Sequence, residues 1–476
     1  MATSDQYGSG STLLTEGWTG TTELFKPPWQ TVQWHTTLVR PDTVFLSGPV
    51  ASKSAWEHTF TAEEAALHTL RKRINDYERE RGQSEWEYYK KIVNPYELVY
   101  TQRKYPDFPD SVCIMHPLSR SYFKMVEILH ITQFFDNLGS GAPILRSAHV
   151  CEGPGGFIES FLDGASRRRL VPQKVTTMTL RPTQPNVPGW KRAATFLHNN
   201  RMVKISHGAD GTGDLLSCAN QDAFIAECGP KVQLFTGDGG FDFSLDYDAQ
   251  ERTMFPLLVA SARAGLEVLA AGGMFVLKFF DFYHDGTRDL LTFLSDQFRA
   301  WTLYKPATSR PCNPEHYFVG KGFKGMSAAA SALIRSWAQA MDKLHVSTPS
   351  VATESATATA VATTATAATA ATAATATTAT TATTATAIPV IFQRLIASPV
   401  IPSSLDILNS AAVSSQIAYL ERVFHLIDSK QLQTGVKTAM LAHHEQMSYT
   451  WCRQFNVPVY PERCRVIEAV RSTVAH

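Results

Sequence analysis

"SAHVCEGPGGFIESFL" occupies residues 147–162 and joins a short apolar run to a second apolar stretch through a turn with three glycines and one proline. This order is typical of a strand that leads through a tight turn into a helix, because glycine adopts backbone conformations that other residues avoid. Gly153, Gly155 and Gly156 would let backbone N–H groups approach a ligand, with the positive end of the following helix dipole behind them. The turn alone leaves a cofactor site and a purely structural turn equally open.

Apolar, strand-like runs alternate with helical patterns on both sides of this turn, from about residue 111 to residue 325. The candidate strands are 147–152, 174–180, 231–238, 273–280 and 316–321, and the candidate helices between them are 155–162, 189–200 and 248–272. Strands that alternate with helices predict an α/β fold, with a mostly parallel sheet and helices on both faces. Ligands of such sheets bind beyond the carboxyl ends of the strands, where the strand order reverses.

The flanking regions differ in composition from this central part. Thr61 and Glu64 have the spacing of a capping box and predict the start of a helix, whose alternating charges predict a solvated face. An almost pure Ala/Thr tract predicts a flexible linker, and the residues after it predict a small helical unit. The predicted units are an aromatic-rich N-terminal extension (1–110), the α/β domain (111–325), a helix and linker start (326–351), the Ala/Thr linker (352–387) and a C-terminal unit (388–476).

Composition excludes several classes of protein. The net charge of +1 gives no overall field for nucleic acid, so any basic surface must be local. The seven cysteines form no CxxC pair, which favours reduced thiols in an intracellular protein without a metal site. Neither a signal peptide nor a long apolar span is visible, so we expect neither secretion nor membrane insertion, with cytoplasm and nucleus both open. The C-terminal candidates for metal ligation, whose spacing fits no standard site, are His443, His444, Cys452 and Cys464.

Four charged residues stand in unusual local contexts. Asp238 follows an apolar strand and precedes two glycines, and Lys278 interrupts an otherwise apolar strand. Glu315 opens the last candidate strand after a proline-rich loop, and Lys124 lies on a helix before the first strand. Each has an ordinary explanation when taken alone, such as an Asp-Gly turn or a lysine that extends to water.

The glycine turn lacks two well-known signatures of nucleotide binding. It has no GxGxxG spacing and no P-loop lysine, which argues against an NTPase. A nicotinamide-dependent enzyme would carry a ribose-binding acid after the second strand, where this chain has Leu180. A nucleotide-like ligand that carries an amino-acid group, such as S-adenosylmethionine, suits the turn better.

Together these features resemble the FtsJ-like family of RNA ribose 2′-O-methyltransferases, and in particular its mRNA-cap branch, which includes enzymes of large DNA viruses. Lys124, Asp238, Lys278 and Glu315 occur in the order and local contexts of the family's Lys-Asp-Lys-Glu tetrad. The resemblance covers roughly residues 115–325. The other segments that carry it are "CEGPGGFIESF" (151–161), "MTL" (178–180), "GADGTGDL" (208–215), "TGDGGFDF" (236–243), "GGMFVLKFFDF" (272–282) and "TSRPCNPEHYFVGKG" (308–322).

The resemblance implies a Rossmann-like methyltransferase fold with a seven-stranded sheet, and S-adenosylmethionine as cofactor. It implies that Lys278 is the general base and that Asp238 and Glu315 hold the two lysines and the ribose hydroxyl. Asp214, with Asp210 as a competitor, would lie by the adenosine part of the cofactor. The full set of implied cofactor residues is Glu152, Gly153, Pro154, Gly155, Gly156, Phe157, Asp214 and Leu215.

The implied substrate is RNA, with methylation of the first transcribed nucleotides of 5′-capped mRNA, and neither DNA nor membrane is implied as a partner. Capping-machinery proteins are possible partners of the terminal regions. Two alternatives remain open: the same reaction on ribosomal or transfer RNA, and a non-catalytic RNA-binding or scaffolding subunit. The candidates for phosphate contact are Arg167, Arg168, Arg169, Arg310, Lys321 and Lys324, and those for stacking on a cap guanine include Trp190, Trp301 and Tyr317.

Overall fold

The computed structural model describes residues 27–36, 58–80, 83–101, 108–138, 144–182, 189–240, 250–347, 403–429 and 434–461. The predicted Ala/Thr linker and Cys464 lie outside these residues. Within the part of the chain described, no helix is both long enough and apolar enough to cross a bilayer.

Seven strands form a single sheet in the order β3-β2-β1-β4-β5-β7-β6. Their bounds are β1 Arg146–Val150, β2 Lys174–Met178, β3 Val203–Ser206, β4 Val232–Gly237, β5 Leu269–Phe279, β6 Phe298–Tyr304 and β7 His316–Phe323. The pairs that join β3, β2, β1, β4 and β5 are parallel, whereas β7 is antiparallel to both β5 and β6. The predicted mostly parallel sheet is confirmed, and its strand order reverses between β1 and β4.

Helices cover both faces of the sheet, as predicted. Their bounds are α1 Ala62–Glu80, α2 Gln83–Ile92, α3 Ser121–Thr132, α4 Gly156–Arg167, α5 Ala194–Asn199, α6 Cys218–Cys228, α7 Gln250–Val268, α8 Asp285–Gln297, α9 Ala328–Ser347, α10 Ser403–Ser429 and α11 Thr434–Gln454. One buried cluster packs α6 to α9 on the sheet, and another packs α3 and α4 on it. Gly265 lets α7 approach the sheet closely, because an added Cβ would lie 2.5 Å from the rings of Phe235 and Phe275.

A third buried cluster joins regions that are far apart in sequence. It combines side chains from α1, α2 and α3 with side chains from α10 and α11. For example, the rings of Trp86 on α2 and Phe424 on α10 stack with centroids 5.7 Å apart. The predicted domain boundaries stay predictions, but the described parts of the two terminal regions share one hydrophobic core.

The N-terminal helix confirms one prediction and corrects another. The Thr61 N–H donates to the Glu64 carboxylate at 2.8 Å, and the Glu64 N–H donates to the Thr61 hydroxyl at 3.2 Å, so the capping box is present. The helix face is not fully solvated, because Arg71 is only 2% exposed. Its guanidinium binds both carboxylate oxygens of Asp281, at 2.6 and 2.8 Å, which attaches α1 to the segment after β5.

Candidate functional site

The sheet topology brings the predicted residues to one edge. The glycine turn follows β1 and Asp238 follows β4, the two strands that flank the reversal of strand order. Lys278 is the penultimate residue of β5. Glu315 directly precedes β7, and because β7 runs antiparallel, its start lies at the same edge as the end of β5.

Two ion pairs form the centre of this site. Lys278 Nζ lies 3.2 Å from Oδ1 of Asp238 and donates to the Asp238 carbonyl oxygen at 2.9 Å. Lys124 Nζ lies 2.7 Å from Oε1 and 2.8 Å from Oε2 of Glu315. All four side chains are nearly buried, with 7% to 14% of their surface exposed. The structure thus brings together all four residues of the predicted tetrad.

Tyr317 joins the two ion pairs, a role that the sequence did not indicate. Its hydroxyl donates to Oδ1 of Asp238 at 2.8 Å and accepts from Lys124 Nζ at 3.4 Å. Tyr317 on β7 lies directly opposite Lys278 on β5, so its side chain is next to both ion pairs. The sequence placed Tyr317 instead among the candidates for stacking on a cap guanine.

Charge in the site determines its protonation. Burial lowers the pKa of Lys278, but the carboxylates of Asp238 and Glu315 outweigh it, so that this pKa lies above its usual range. Burial raises the pKa of Glu315, yet Lys124 and Lys278 bring it well below its usual range. The protein therefore holds Lys278 as an ammonium and Glu315 as a carboxylate at neutral pH.

Part of the requirement for glycine in this turn comes from its backbone conformation and from packing against the rest of the protein. Gly155 has φ +109°, which favours glycine. An added Cβ at Gly156 would collide with the hydroxyls of Ser119 and Ser121, so there the close neighbour of the backbone is the start of α3. Gly153 and Pro154 are half-exposed at the rim of the turn. Phe157 is fully buried with its ring 5.7 Å from that of Tyr317, which leaves only its backbone for a ligand.

Glu152 is the feature of this turn that fits a cofactor. One carboxylate oxygen accepts a hydrogen bond from Thr236, whereas Oε2 is buried and has no hydrogen-bond partner among the described residues. Burial, and then the nearby charge of Asp238, raise the pKa of Glu152 well above its usual range. Its Oε2 lacks a hydrogen-bond donor in the described part of the chain, and a cationic N–H group would suit a carboxylate. The ammonium of the amino-acid group of S-adenosylmethionine is such a donor.

The loop at 208–215 lies beside the turn. The Arg181 N–H donates to the carbonyl of Thr212 at 2.7 Å, and the Thr179 hydroxyl accepts from the N–H groups of Glu152 and Gly153, each at 3.0 Å. The residues that follow β2 therefore connect the glycine turn to the loop that carries Asp214.

Asp214 already has donors on both carboxylate oxygens. Leu216 N–H donates to Oδ1 at 2.9 Å, and His345 Nε2 of α9 lies 2.9 Å from Oδ2. Leu215 is 3% exposed, so its side chain belongs to the core and only its backbone is available. Asp210 is exposed and accepts from the N–H and hydroxyl of Thr212, at 2.8 and 2.6 Å. Nothing in the sequence indicated His345.

Several expected RNA contacts are unavailable. Trp301 and Tyr317 are both 0% exposed, so neither can stack on a base. Arg310 is bound to the buried carboxylate of Glu97 at 3.0 Å rather than presented to a phosphate. Trp190 is half-buried, with its ring beside Gly155.

Of the remaining basic candidates, Arg169 is exposed, and the other four have partners. The pairs are Arg167 with Asp163 at 2.8 Å, Arg168 with Asp136 at 3.2 Å, Lys321 over the ring of Trp34 at 3.5 Å and Lys324 with the Asp296 carbonyl at 2.7 Å. These contacts leave the path of a bound RNA as a prediction.

Comparison with known families identifies the central part of the chain. Residues 117–323 match the model of the family described as FtsJ-like methyltransferase. This part of the chain is an FtsJ-like methyltransferase domain. The methyl donor of this kind of domain is S-adenosylmethionine, in agreement with the unpartnered Oε2 of Glu152 at the glycine turn.

Part of the chain is also similar to curated proteins. Cap-specific mRNA (nucleoside-2′-O-)-methyltransferase 2 of Drosophila melanogaster is 27% identical over 267 residues, which cover 53% of this chain and 35% of that protein. Cap-specific mRNA (nucleoside-2′-O-)-methyltransferase 1 of Trypanosoma cruzi is 31% identical over 218 residues, which cover 44% of this chain and 57% of that protein. The chain therefore spans well under two thirds of either relative. A viral source stays a prediction, since these relatives come from an insect and a trypanosome.

Among solved structures, one described as a ribosomal RNA methyltransferase of Plasmodium falciparum is similar to part of this chain. It is 16% identical with a TM-score of 0.30, and the match covers 44% of this chain and 99% of that one. The assignment of the fold rests on the strand order of the sheet and not on this likeness.

Proposed function

We propose that this protein is an S-adenosylmethionine-dependent RNA ribose 2′-O-methyltransferase that acts on the first transcribed nucleotides of capped mRNA. The observation that carries the proposal is the pair of ion pairs, Lys278–Asp238 and Lys124–Glu315, beside the glycine turn of an FtsJ-like domain. The names of the Drosophila and trypanosome relatives support the choice of capped mRNA.

In this proposal the glycine turn and Glu152 hold the amino-acid part of the cofactor, and the loop with Asp214 lies by its adenosine part. S-adenosylmethionine, when bound, supplies a methyl group on a sulfonium, whose sulfur becomes neutral after transfer. The protein therefore has little charge to stabilise on the leaving group. Its task is to position the ribose hydroxyl and to remove the proton of that hydroxyl.

Lys278 is the proposed base. It must be neutral when it accepts the proton of the 2′-hydroxyl, whereas the charges around it favour the ammonium form. Its own proton must therefore leave before the reaction, and the rate has to rise with pH. Asp238 contacts Lys278 Nζ through both its carboxylate and its carbonyl, which fixes the direction of the amine.

Lys124 and Glu315 are proposed to bind the ribose rather than to exchange protons. Glu315 is held by Lys124 and also by the Ser309 hydroxyl, which donates to Oε1 at 2.7 Å. Because its pKa lies well below the usual range, Glu315 stays a hydrogen-bond acceptor at neutral pH. A fixed acceptor next to the base suits the orientation of a hydroxyl group.

Transfer of a labelled methyl group from S-adenosylmethionine to matched RNAs tests the proposal. The RNAs have one sequence and differ only in the 5′ cap, and Lys278→Ala is compared with Lys204→Ala, which changes an exposed lysine of β3. We expect methylation of the capped RNA that is lost in Lys278→Ala only. Equal transfer to the uncapped RNA would favour ribosomal or transfer RNA as substrate. Binding of RNA and cofactor without transfer would favour a non-catalytic RNA-binding subunit.

A further inference from the structure

Glu127 is a buried acidic residue on the same helix as Lys124 of the Lys124–Glu315 pair. It lies one helical turn after Lys124 on α3, is 0% exposed and accepts five hydrogen bonds. The donors are the Tyr304 hydroxyl at 2.7 Å, the Ala307 N–H at 2.8 Å, the Thr308 N–H and hydroxyl at 3.0 Å each, and Trp451 Nε1 at 2.8 Å. A buried carboxylate with this many donors fixes the segments that supply them.

The segment fixed by Glu127 is the one that carries Glu315. The N–H groups of Ala307 and Thr308 lie near the start of the connection from β6 to β7, and Glu315 ends this connection. Lys305 closes the same connection, because its Nζ donates to the carbonyls of Asn313 at 2.7 Å and Glu315 at 3.0 Å. Glu127 thus sets the position of Glu315 relative to α3, the helix that carries Lys124.

One of the donors to Glu127 comes from the other end of the chain. Trp451 lies on α11, outside the residues that match the FtsJ-like family, and it is 0% exposed. Its ring also packs edge-on against Phe123, the residue before Lys124, with centroids 5.7 Å apart. Trp451 therefore contacts α3 twice, once through its indole N–H and once through its ring, within one turn of Lys124.

We propose that Trp451 is a positioning residue for the Lys124–Glu315 pair and acts through Glu127, so that helix α11 is part of the methyltransferase unit. This inference rests on the proposed function for its kinetic consequences. Its structural content is that the pair loses its geometry when the indole N–H is removed.

The kinetic test compares two Trp→Phe variants of the full chain. Trp451→Phe keeps an aromatic ring but removes the donor to Glu127, and Trp337→Phe makes the same change in α9, where the buried Trp337 packs on Phe293. We expect kcat to fall about 10-fold to 100-fold in Trp451→Phe only, as for a small displacement of a reacting group. The Kd for S-adenosylmethionine should change less than about 2-fold, since the contacts of Trp451 are with Glu127 and Phe123 and not with the glycine turn.

A double-mutant cycle shows whether Trp451 acts through Glu127. The losses of kcat in Glu127→Gln and Trp451→Phe should not be additive, because both changes weaken the same hydrogen bond. Fully additive losses of kcat, or an unchanged kcat in Trp451→Phe when the unaltered chain is active, would overturn the inference.

A crystal structure of Trp451→Phe gives a reading that needs no reaction. We expect the separation of Lys124 Nζ and Glu315, now 2.7 Å, to lengthen or the contact to break. An unchanged pair would overturn the inference even if the unaltered chain methylates RNA. A displaced pair would support it even if the proposed function fails.

Discussion

The hydroxyl of Tyr317 lies 2.8 Å from Oδ1 of Asp238, the same carboxylate oxygen that lies 3.2 Å from Lys278 Nζ. Oδ1 of Asp238 therefore contacts two donors, the neutral hydroxyl of Tyr317 and the ammonium of Lys278. Burial, and then the charge of Asp238, raise the pKa of Tyr317 well above its usual range, so this tyrosine stays a donor. The tyrosine hydroxyl limits how far Asp238 can turn toward the lysine.

We predict that Tyr317→Phe lowers kcat about 10-fold, which is the effect of losing one hydrogen bond to a charged group. The phenyl ring keeps its contact with Phe157, so the Kd of S-adenosylmethionine should stay within about 2-fold of its value in the unaltered chain. Single-turnover kinetics and cofactor titration measure the two quantities. Tyr89→Phe, a change on α2, is the matched control, and an equal loss of kcat there would contradict the role of Tyr317.

The pH dependence of the reaction should report Lys278. Its pKa is raised, and only the neutral amine can accept a proton, so kcat/KM should increase with pH through the neutral and alkaline range. Asp238→Asn removes the main charge that raises this pKa, so the alkaline limb should move to lower pH while the maximal rate falls. If chemistry is rate-limiting, kcat/KM should rise about 10-fold per pH unit between pH 7 and 9. A flat profile in this range would contradict Lys278 as the base.

Glu152→Gln tests the cofactor site. The carboxyl has one unpartnered buried oxygen, so we expect the amide to bind S-adenosylmethionine about 10-fold more weakly, the cost of losing a charge-assisted hydrogen bond. Because the pKa of Glu152 is raised, cofactor binding by the unaltered chain should weaken as pH falls and protonates it. The glutamine variant should lose this dependence. Calorimetric titration at several pH values measures both effects, and identical pH profiles would contradict the assignment.

His345→Ala tests whether His345 and the cofactor compete for the same carboxylate oxygen of Asp214. If Asp214 binds the adenosine part of the cofactor, His345 competes for Oδ2, and its removal should tighten cofactor binding about 2-fold to 5-fold. His198→Ala, on α5, is a control histidine variant at another helix end. Weaker binding in His345→Ala would show instead that this histidine supports the site.

The residues of the site that can be predicted from sequence are those whose local contexts are unusual. Asp238 follows an apolar strand directly, Lys278 interrupts one, and the glycine turn stands between a strand and a helix, so local chemistry marks all three. Strands β3 and β6 were missed for different reasons. The segment "VKIS" (203–206) alternates apolar and polar residues but has only 4 residues, whereas in "FRAWTLY" (298–304) the consecutive Ala300 and Trp301 break the alternation.

The supporting contacts could not be predicted, because they join residues that are distant in sequence. Trp451 lies 324 positions from Glu127, and His345 lies 131 positions from Asp214. Each is an ordinary helical residue by its local pattern. Arg310 and Trp301 were expected to face RNA, but tertiary packing places them on Glu97 and in the core. Local sequence indicates which residues carry chemistry, whereas the packing that orients them has no local signature.

The most direct test of the central claim is to locate the methyl group in RNA treated with S-adenosylmethionine and the unaltered chain. Mass mapping of nuclease fragments from a capped RNA identifies both the nucleotide and the modified atom. The account predicts methylation of a ribose 2′-oxygen at the first transcribed nucleotides, and no such product with Lys278→Ala. A methyl group on a base, or an unchanged yield of 2′-O-methyl product with Lys278→Ala, would contradict it.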